Sequence, residues 1–113
     1  MVDSQDISEE IAKILAMLFP DCLIRHNPIH VAVYYKPNKY CTEVLSTVFY
    51  SASGWYVRIY GSDYMSVNDI IIRLCSVFEM DFVDGSREDT ATSACTYFIR
   101  GTIDGRSYIN KHD

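Results

Sequence analysis

Apolar residues recur along the chain with two different periods, and the changes of period mark out its elements. Between residues 6 and 19, Ile7, Ile11, Ile14, Leu15 and Leu18 fall three or four apart, the spacing of one helix face. Asp6 is placed to cap that helix, and Glu9 follows three residues later, as in a capping box. Glu9 and Glu10 also suit the positive end of the helix dipole. Pro20 stops the helix, because the residue before a proline is driven out of helical geometry. The period then drops to two. Ile29, Val31, Val33 and Tyr35 alternate with His30, Ala32 and Tyr34, which predicts a strand. A short strand over residues 22–25 can precede it across an Asn27-Pro28 turn. Lys36-Pro37-Asn38-Lys39 reads as a loop. Segments 44–50 and 55–60 are rich in β-branched and aromatic residues, and Ser51-Ala52-Ser53-Gly54 between them has turn chemistry, so the pair reads as a hairpin.

Helical spacing returns over residues 66–79. Ser66 is the expected cap, with Asp69 three residues on. Val67, Ile70, Ile71, Leu74, Cys75 and Phe78 make one wide apolar stripe, suited to a helix laid across a sheet. Cys75 on that stripe reads as a small buried hydrophobe. Residues 84–93, opening on Asp84-Gly85-Ser86, are polar and read as a loop. Segments 97–103 and 106–109 flank Asp104-Gly105, a strong hairpin signal. On the first of these strands, Tyr97, Ile99 and Ile103 share one face, and Phe98, Arg100 and Thr102 the other. The predicted order is α-β-β-β-α-β-β, with room for the extra early strand. Hairpin connections imply a mainly antiparallel sheet, and two helices on one of its faces complete an α+β fold. All 113 residues fit one such domain, spanning 1–113.

Charge divides along the same lines. The net charge of -5 is uneven: residues 61–90 carry seven acids and two bases, residues 21–60 two acids and four bases. The helical segments are therefore acidic and the strand segments mildly basic. The acids Glu79, Asp81, Asp84, Glu88 and Asp89 are the densest run. They do not follow the EF-hand spacing, so they read as a patch for a basic partner rather than as a calcium loop. Tyr34, Tyr56, Tyr60 and Phe98 alternate with core-type residues. If Val33, Val57 and Ile59 face the helices, then Tyr34, Tyr56, Arg58 and Tyr60 face outward. Tyrosine and arginine on a sheet face are the residue types of protein interface anchors, and also of platforms for single-stranded bases. An acidic domain lacks the basic footprint of a nucleic-acid binder, which favours a protein partner and makes direct nucleic-acid binding the weaker reading.

Catalytic and metal motifs are absent. There is no G-x-S-x-G elbow, P-loop, dinucleotide fingerprint or H-E-x-x-H, and no enzyme activity or cofactor is expected. Cys22, His26, His30 and Cys41 form a Cys-x3-His-x3-His-x10-Cys set that matches no common zinc module, so no metal is expected. All four cysteines are expected to be reduced thiols. The acidic N-terminus lacks the basic region of a secretory signal, and no apolar run approaches the ~20 residues of a membrane span. A cytoplasmic protein with no membrane association is therefore the expectation. In size, acidity and architecture alone the chain is similar to immunity proteins, to phage-encoded inhibitors of defence nucleases and to secretion chaperones. The favoured expectation is a small binding protein that inhibits a nucleic-acid-handling protein, such as a nuclease, through Glu79, Asp81, Asp84, Glu88, Asp89, Tyr56, Arg58 and Tyr60. The alternatives are a dimeric secretion-type chaperone, a single-strand nucleic-acid module using the Tyr56-Arg58-Tyr60 face, and a metal-dependent hydrolase. A homodimer is compatible with the sequence, and the chaperone reading implies one.

Overall fold

The first helix, α1 (Ser4–Leu18), forms where the apolar spacing predicts it. It starts ahead of the expected cap, so Asp6 lies in its first turn, where a carboxylate still suits the dipole. Ile11 and Leu15 are fully buried, and Phe19 just past the helix joins them. The computed structural model describes residues 4–52, 54–85 and 94–102. The hairpin expected at Asp104-Gly105, its second strand and most of the 84–93 loop lie outside these residues.

Four strands follow in an antiparallel meander: β1 (Leu23–Asn27), β2 (His30–Asn38), β3 (Cys41–Ser51) and β4 (Gly54–Ile59). The optional early strand is thus present. The turn behind it closes when the Asn27 side-chain carbonyl accepts from the Ile29 amide at 3.0 Å. The expected loop at Lys36-Pro37-Asn38-Lys39 is mostly strand, since β2 continues to Asn38 and pairs with Cys41. Pro37 is tolerated because the β2–β3 register shifts between Tyr35 and Asn38, where a residue without an N–H interrupts no regular ladder. Asn38 then accepts from the Tyr40 amide at 2.8 Å and shapes the tight turn. The β3–β4 connection is equally short. Ser51 pairs with Gly54, and Ala52 takes a positive φ of 51°.

Helix α2 (Val67–Cys75) is capped by Ser66, whose hydroxyl accepts from the Asp69 amide at 3.1 Å. It ends short of the expected 79. The Ser76 and Val77 amides donate to the carbonyls of Arg73 and Leu74, a tightened last turn, and Phe78 then opens a strand. This strand, β5 (Phe78–Gly85), replaces the expected helix end. Its apolar residues Phe78, Met80 and Phe82 alternate with acids, a period of two. Gly85 at its end has φ 104°, and a side chain there would collide with the Ala94 backbone. The last described strand, β6 (Cys95–Thr102), begins two residues before the expected start. Cys75 is also corrected: it is exposed, because the shorter helix turns Val67, Ile70 and Leu74 to the core and leaves Cys75 off that line.

The strands form one six-stranded antiparallel sheet in the order β1-β2-β3-β4-β6-β5. The element order is α-β-β-β-β-α-β-β, an α+β fold whose last two described strands are 78–85 and 95–102. One buried cluster joins both helices to alternate strand residues, among them Val31, Val48, Trp55, Val57, Ile59 and Ile99. The helices also meet directly. The Arg73 guanidinium donates to the Leu18 carbonyl at 2.9 Å and lies over the Phe19 ring, 5.5 Å from its centre.

Leu74 is fully buried within this cluster. Leu74→Ala is expected to cost about 2–5 kcal/mol in denaturant unfolding. Cys75→Ser, at an exposed site on the same helix, should stay within about 0.5 kcal/mol of the parent. Equal losses at the two positions would contradict the helix orientation.

Candidate protein-interaction face

The sheet register decides which candidate residues meet. Val57 and Ile59 point into the core, so Tyr56 and Arg58 point to the other face. Across the strands, Tyr56 lies level with Phe49 on β3 and with Phe98 on β6, and Phe98 lies level with Asp81 on β5. Arg58 lies level with Thr47 and Thr96, and Thr96 with Asp84. The tyrosine and acidic groups that sequence reasoning treated separately therefore occupy adjacent rows of one face. Two strands, β4 and β6, link them.

The rings along this row touch. Phe49 stacks on Tyr56 with centroids 5.8 Å apart, and Tyr56 meets Phe98 edge-on at 5.2 Å. The three rings are half-buried. Arg58 crosses beside them: its guanidinium donates to the Thr96 hydroxyl at 2.9 Å and lies 5.8 Å from the centre of Tyr60. Tyr60 continues the same alternation just past β4, where its amide donates to the Leu45 carbonyl. The strip is thus aromatic in the middle, with a guanidinium already held in place.

Its acidic border is partly neutralised. Arg100 on β6 donates from Nε to Asp81 at 2.8 Å and from a terminal nitrogen to Glu79 at 3.5 Å. These pairs are exposed, so each contributes little to stability. Asp84 is exposed one row away. Glu88 and Asp89 lie outside the described residues. Alternation already sets Arg100 on the Phe98 side of its strand, but neither Arg100 nor Phe49 belongs to the candidate site drawn from the sequence. Both alternate with buried neighbours, Ile99 and Val48, which is the signal that could have found them.

The other candidate chemistry does not assemble. His26 is level with Val31, on the core side of the sheet, and His30 is level with Phe49, on the outer side. The two histidines thus face opposite ways. Among the described residues no three histidines, cysteines or carboxylates gather as metal ligands. All four cysteines are free thiols, with Cys95 buried, Cys22 half-buried, and Cys41 and Cys75 exposed. Partial burial pushes the Cys22 thiol above its ordinary value, opposed by the nearby Arg73 guanidinium. Desolvation raises the Cys75 thiol as well. Among the described residues no helix is long and apolar enough to cross a membrane. Comparison with protein-family models, with curated proteins and with solved structures finds no significant match to this chain.

Thiol titration should find four reactive groups in denaturant and, in the native protein, fast reaction at Cys41 and Cys75 only. Because desolvation raises its pKa, Cys75 should need a higher pH than an ordinary thiol to reach its full alkylation rate. A Cys75 rate that is flat with pH would contradict that environment, and fast native labelling of Cys95 would contradict the core.

Proposed function

We propose that this chain is a non-catalytic binding protein whose outer sheet face docks on a basic surface of a nucleic-acid-handling protein, such as a nuclease, and blocks it. One observation carries the reading: the register sets the Phe49–Tyr56–Phe98 ring row directly beside the acidic strand β5. The ring row offers rigid, desolvatable area of the kind that anchors interfaces. The two helices pack with the buried side of the sheet, and among the described residues no element covers this one. Asp81, Asp84 and Glu79 give the border that a basic groove would recognise, and the net charge of -5, to which Glu88 and Asp89 contribute, steers the encounter. A groove so occupied no longer admits a phosphate backbone, so inhibition follows from competition. The residues are suited to the cytoplasm, with their thiols reduced.

Platform binding of single-stranded nucleic acid is less well supported. The rings are engaged with one another, Arg58 is tied to Thr96, and the border facing a phosphate chain would be acidic. In affinity capture followed by identification of bound proteins, the true partner should be lost with Tyr56→Ala and weakened with Asp84→Lys. For the isolated pair, Tyr56→Ala should cost roughly 2 kcal/mol or more, mainly in off-rate. Asp84→Lys should slow association most at low salt, since the Debye length shrinks from ~10 Å at 0.1 M to ~3 Å at 1 M. A partner indifferent to both changes, or retention of a mixed single-strand pool by the chain itself, would overturn the reading.

A further inference from the structure

Tyr35 and Tyr64 come from distant parts of the chain and lie face to face. Their ring centres are 3.6 Å apart and their planes are 7° from parallel. Carbon atoms in contact sit roughly 3.5–4.0 Å apart, so this separation leaves the rings almost no sideways offset. Aromatic pairs ordinarily prefer offset or edge-on packing, with centres about 4.5–7 Å apart. Tyr56 and Phe98 show the edge-on form at 5.2 Å. Here the backbone sets both rings. Tyr35 lies on β2, level with Glu43, and packs against the buried core. The segment that enters α2 is folded on Ser62. Its hydroxyl accepts from the Tyr64 amide at 3.1 Å and from the Met65 amide at 3.3 Å, and its own amide donates to the Met65 carbonyl at 2.8 Å. Met65, next to Tyr64, is buried in the core.

Stacking of this kind suits one bond-forming reaction. When a tyrosine loses an electron and its phenolic proton, the unpaired electron spreads over the oxygen and the ortho and para ring carbons. Its lobes stand above and below the ring plane. Two such rings held face to face present their ortho carbons to each other along the direction in which a carbon–carbon bond forms. The rings are also within reach of a small oxidant. Both are half-buried, and a cavity of about 330 Å³ lined by Tyr64, Met65, Asp69, Ile72 and Arg73 opens beside one of them.

We infer that Tyr35 and Tyr64 form an oxidative cross-linking site, joined by an ortho–ortho carbon bond when the protein meets a one-electron oxidant such as a haem peroxidase using hydrogen peroxide. Each phenol gives up one electron and one proton. The two ring carbons then bond, and each passes its hydrogen through water to its own oxygen, which restores two phenols. Two electrons and two protons leave in total, and one hydrogen peroxide takes them up to become two waters. The product ties β2 to the segment that enters α2 and closes the chain between residues 35 and 64. The reaction uses rings on the core side of the sheet and does not depend on the outer-face reading.

Photo-oxidation of the whole chain by a ruthenium tris-bipyridyl complex with persulfate tests this. Dityrosine fluorescence should appear in a product that stays monomeric and has lost two hydrogen atoms, with a yield that does not fall on dilution. Tryptic digestion should show peptide 26–39 joined to peptide 59–73. Tyr35→Phe and Tyr64→Phe each keep a ring in the stack but remove its phenol, and each should abolish the link. Tyr34→Phe and Tyr60→Phe change the other tyrosines of the same two peptides and should leave it in place. Tyr40→Phe, at a residue 86% exposed, should lower only cross-linking between molecules. Melting curves confirm that each variant is folded. A wild type that forms no dityrosine, or forms it only between molecules, overturns the proposal. So do a link that survives Tyr35→Phe or Tyr64→Phe, and a link that disappears with Tyr34→Phe, Tyr40→Phe or Tyr60→Phe.

Discussion

The parity of β4 is the constraint on which the rest depends. Trp55, Val57 and Ile59 are fully buried, and hydrogen-bonded strands flank β4 on both sides. A slip of one residue would move those three side chains to the outer face and bring Tyr56 and Arg58 into the core. The cost of burying an unpaired guanidinium alone forbids it. The tight Ser51–Gly54 connection holds β3 to this register, and Arg58 bonded to Thr96 holds β6. Once β4 is fixed, the face of every neighbouring strand follows, including the side on which the acids of β5 emerge.

Much of this was legible in the one-dimensional pattern. Both helices, the Ser66 cap, the first four strands and the opposed faces of β4 follow from periods of 3.6 and 2. β5 was hidden for an identifiable reason. Phe78 falls four residues after Leu74, so it extends the helical stripe as naturally as it begins a strand. No glycine or proline marks the helix end, which is made by backbone bonds at Ser76 and Val77. The alternation of Phe78, Met80 and Phe82 with acids spans only five residues, too short a stretch to outweigh the longer helical stripe it overlaps. Placing Cys75 in the core followed from the same overlong helix.

The candidate face was legible residue by residue and illegible as a whole. Outward orientation of Tyr56, Arg58 and Phe98 can be read from alternation. Their adjacency to Asp81 and Asp84 depends on strand order, since β6 inserts between β4 and β5 against the order of the chain. Long-range pairing of that kind leaves no local trace. Nor does the bond from Arg100 to Asp81, which turns an acidic run into a bordered, mixed-charge margin.

The Arg73 contact has a consequence for how the molecule opens. The last carbonyls of a helix have no partner within it, and α1 finds one in a side chain from α2, 55 residues away. Fraying of the α1 end therefore breaks a bond of α2, and detachment of α2 uncovers Phe19. The end of one helix is thus coupled to the side of another with which it shares no loop, through a single side chain. Replacing Arg73 would therefore loosen the last turn of α1 and the cover over Phe19 together, although neither lies in its own helix.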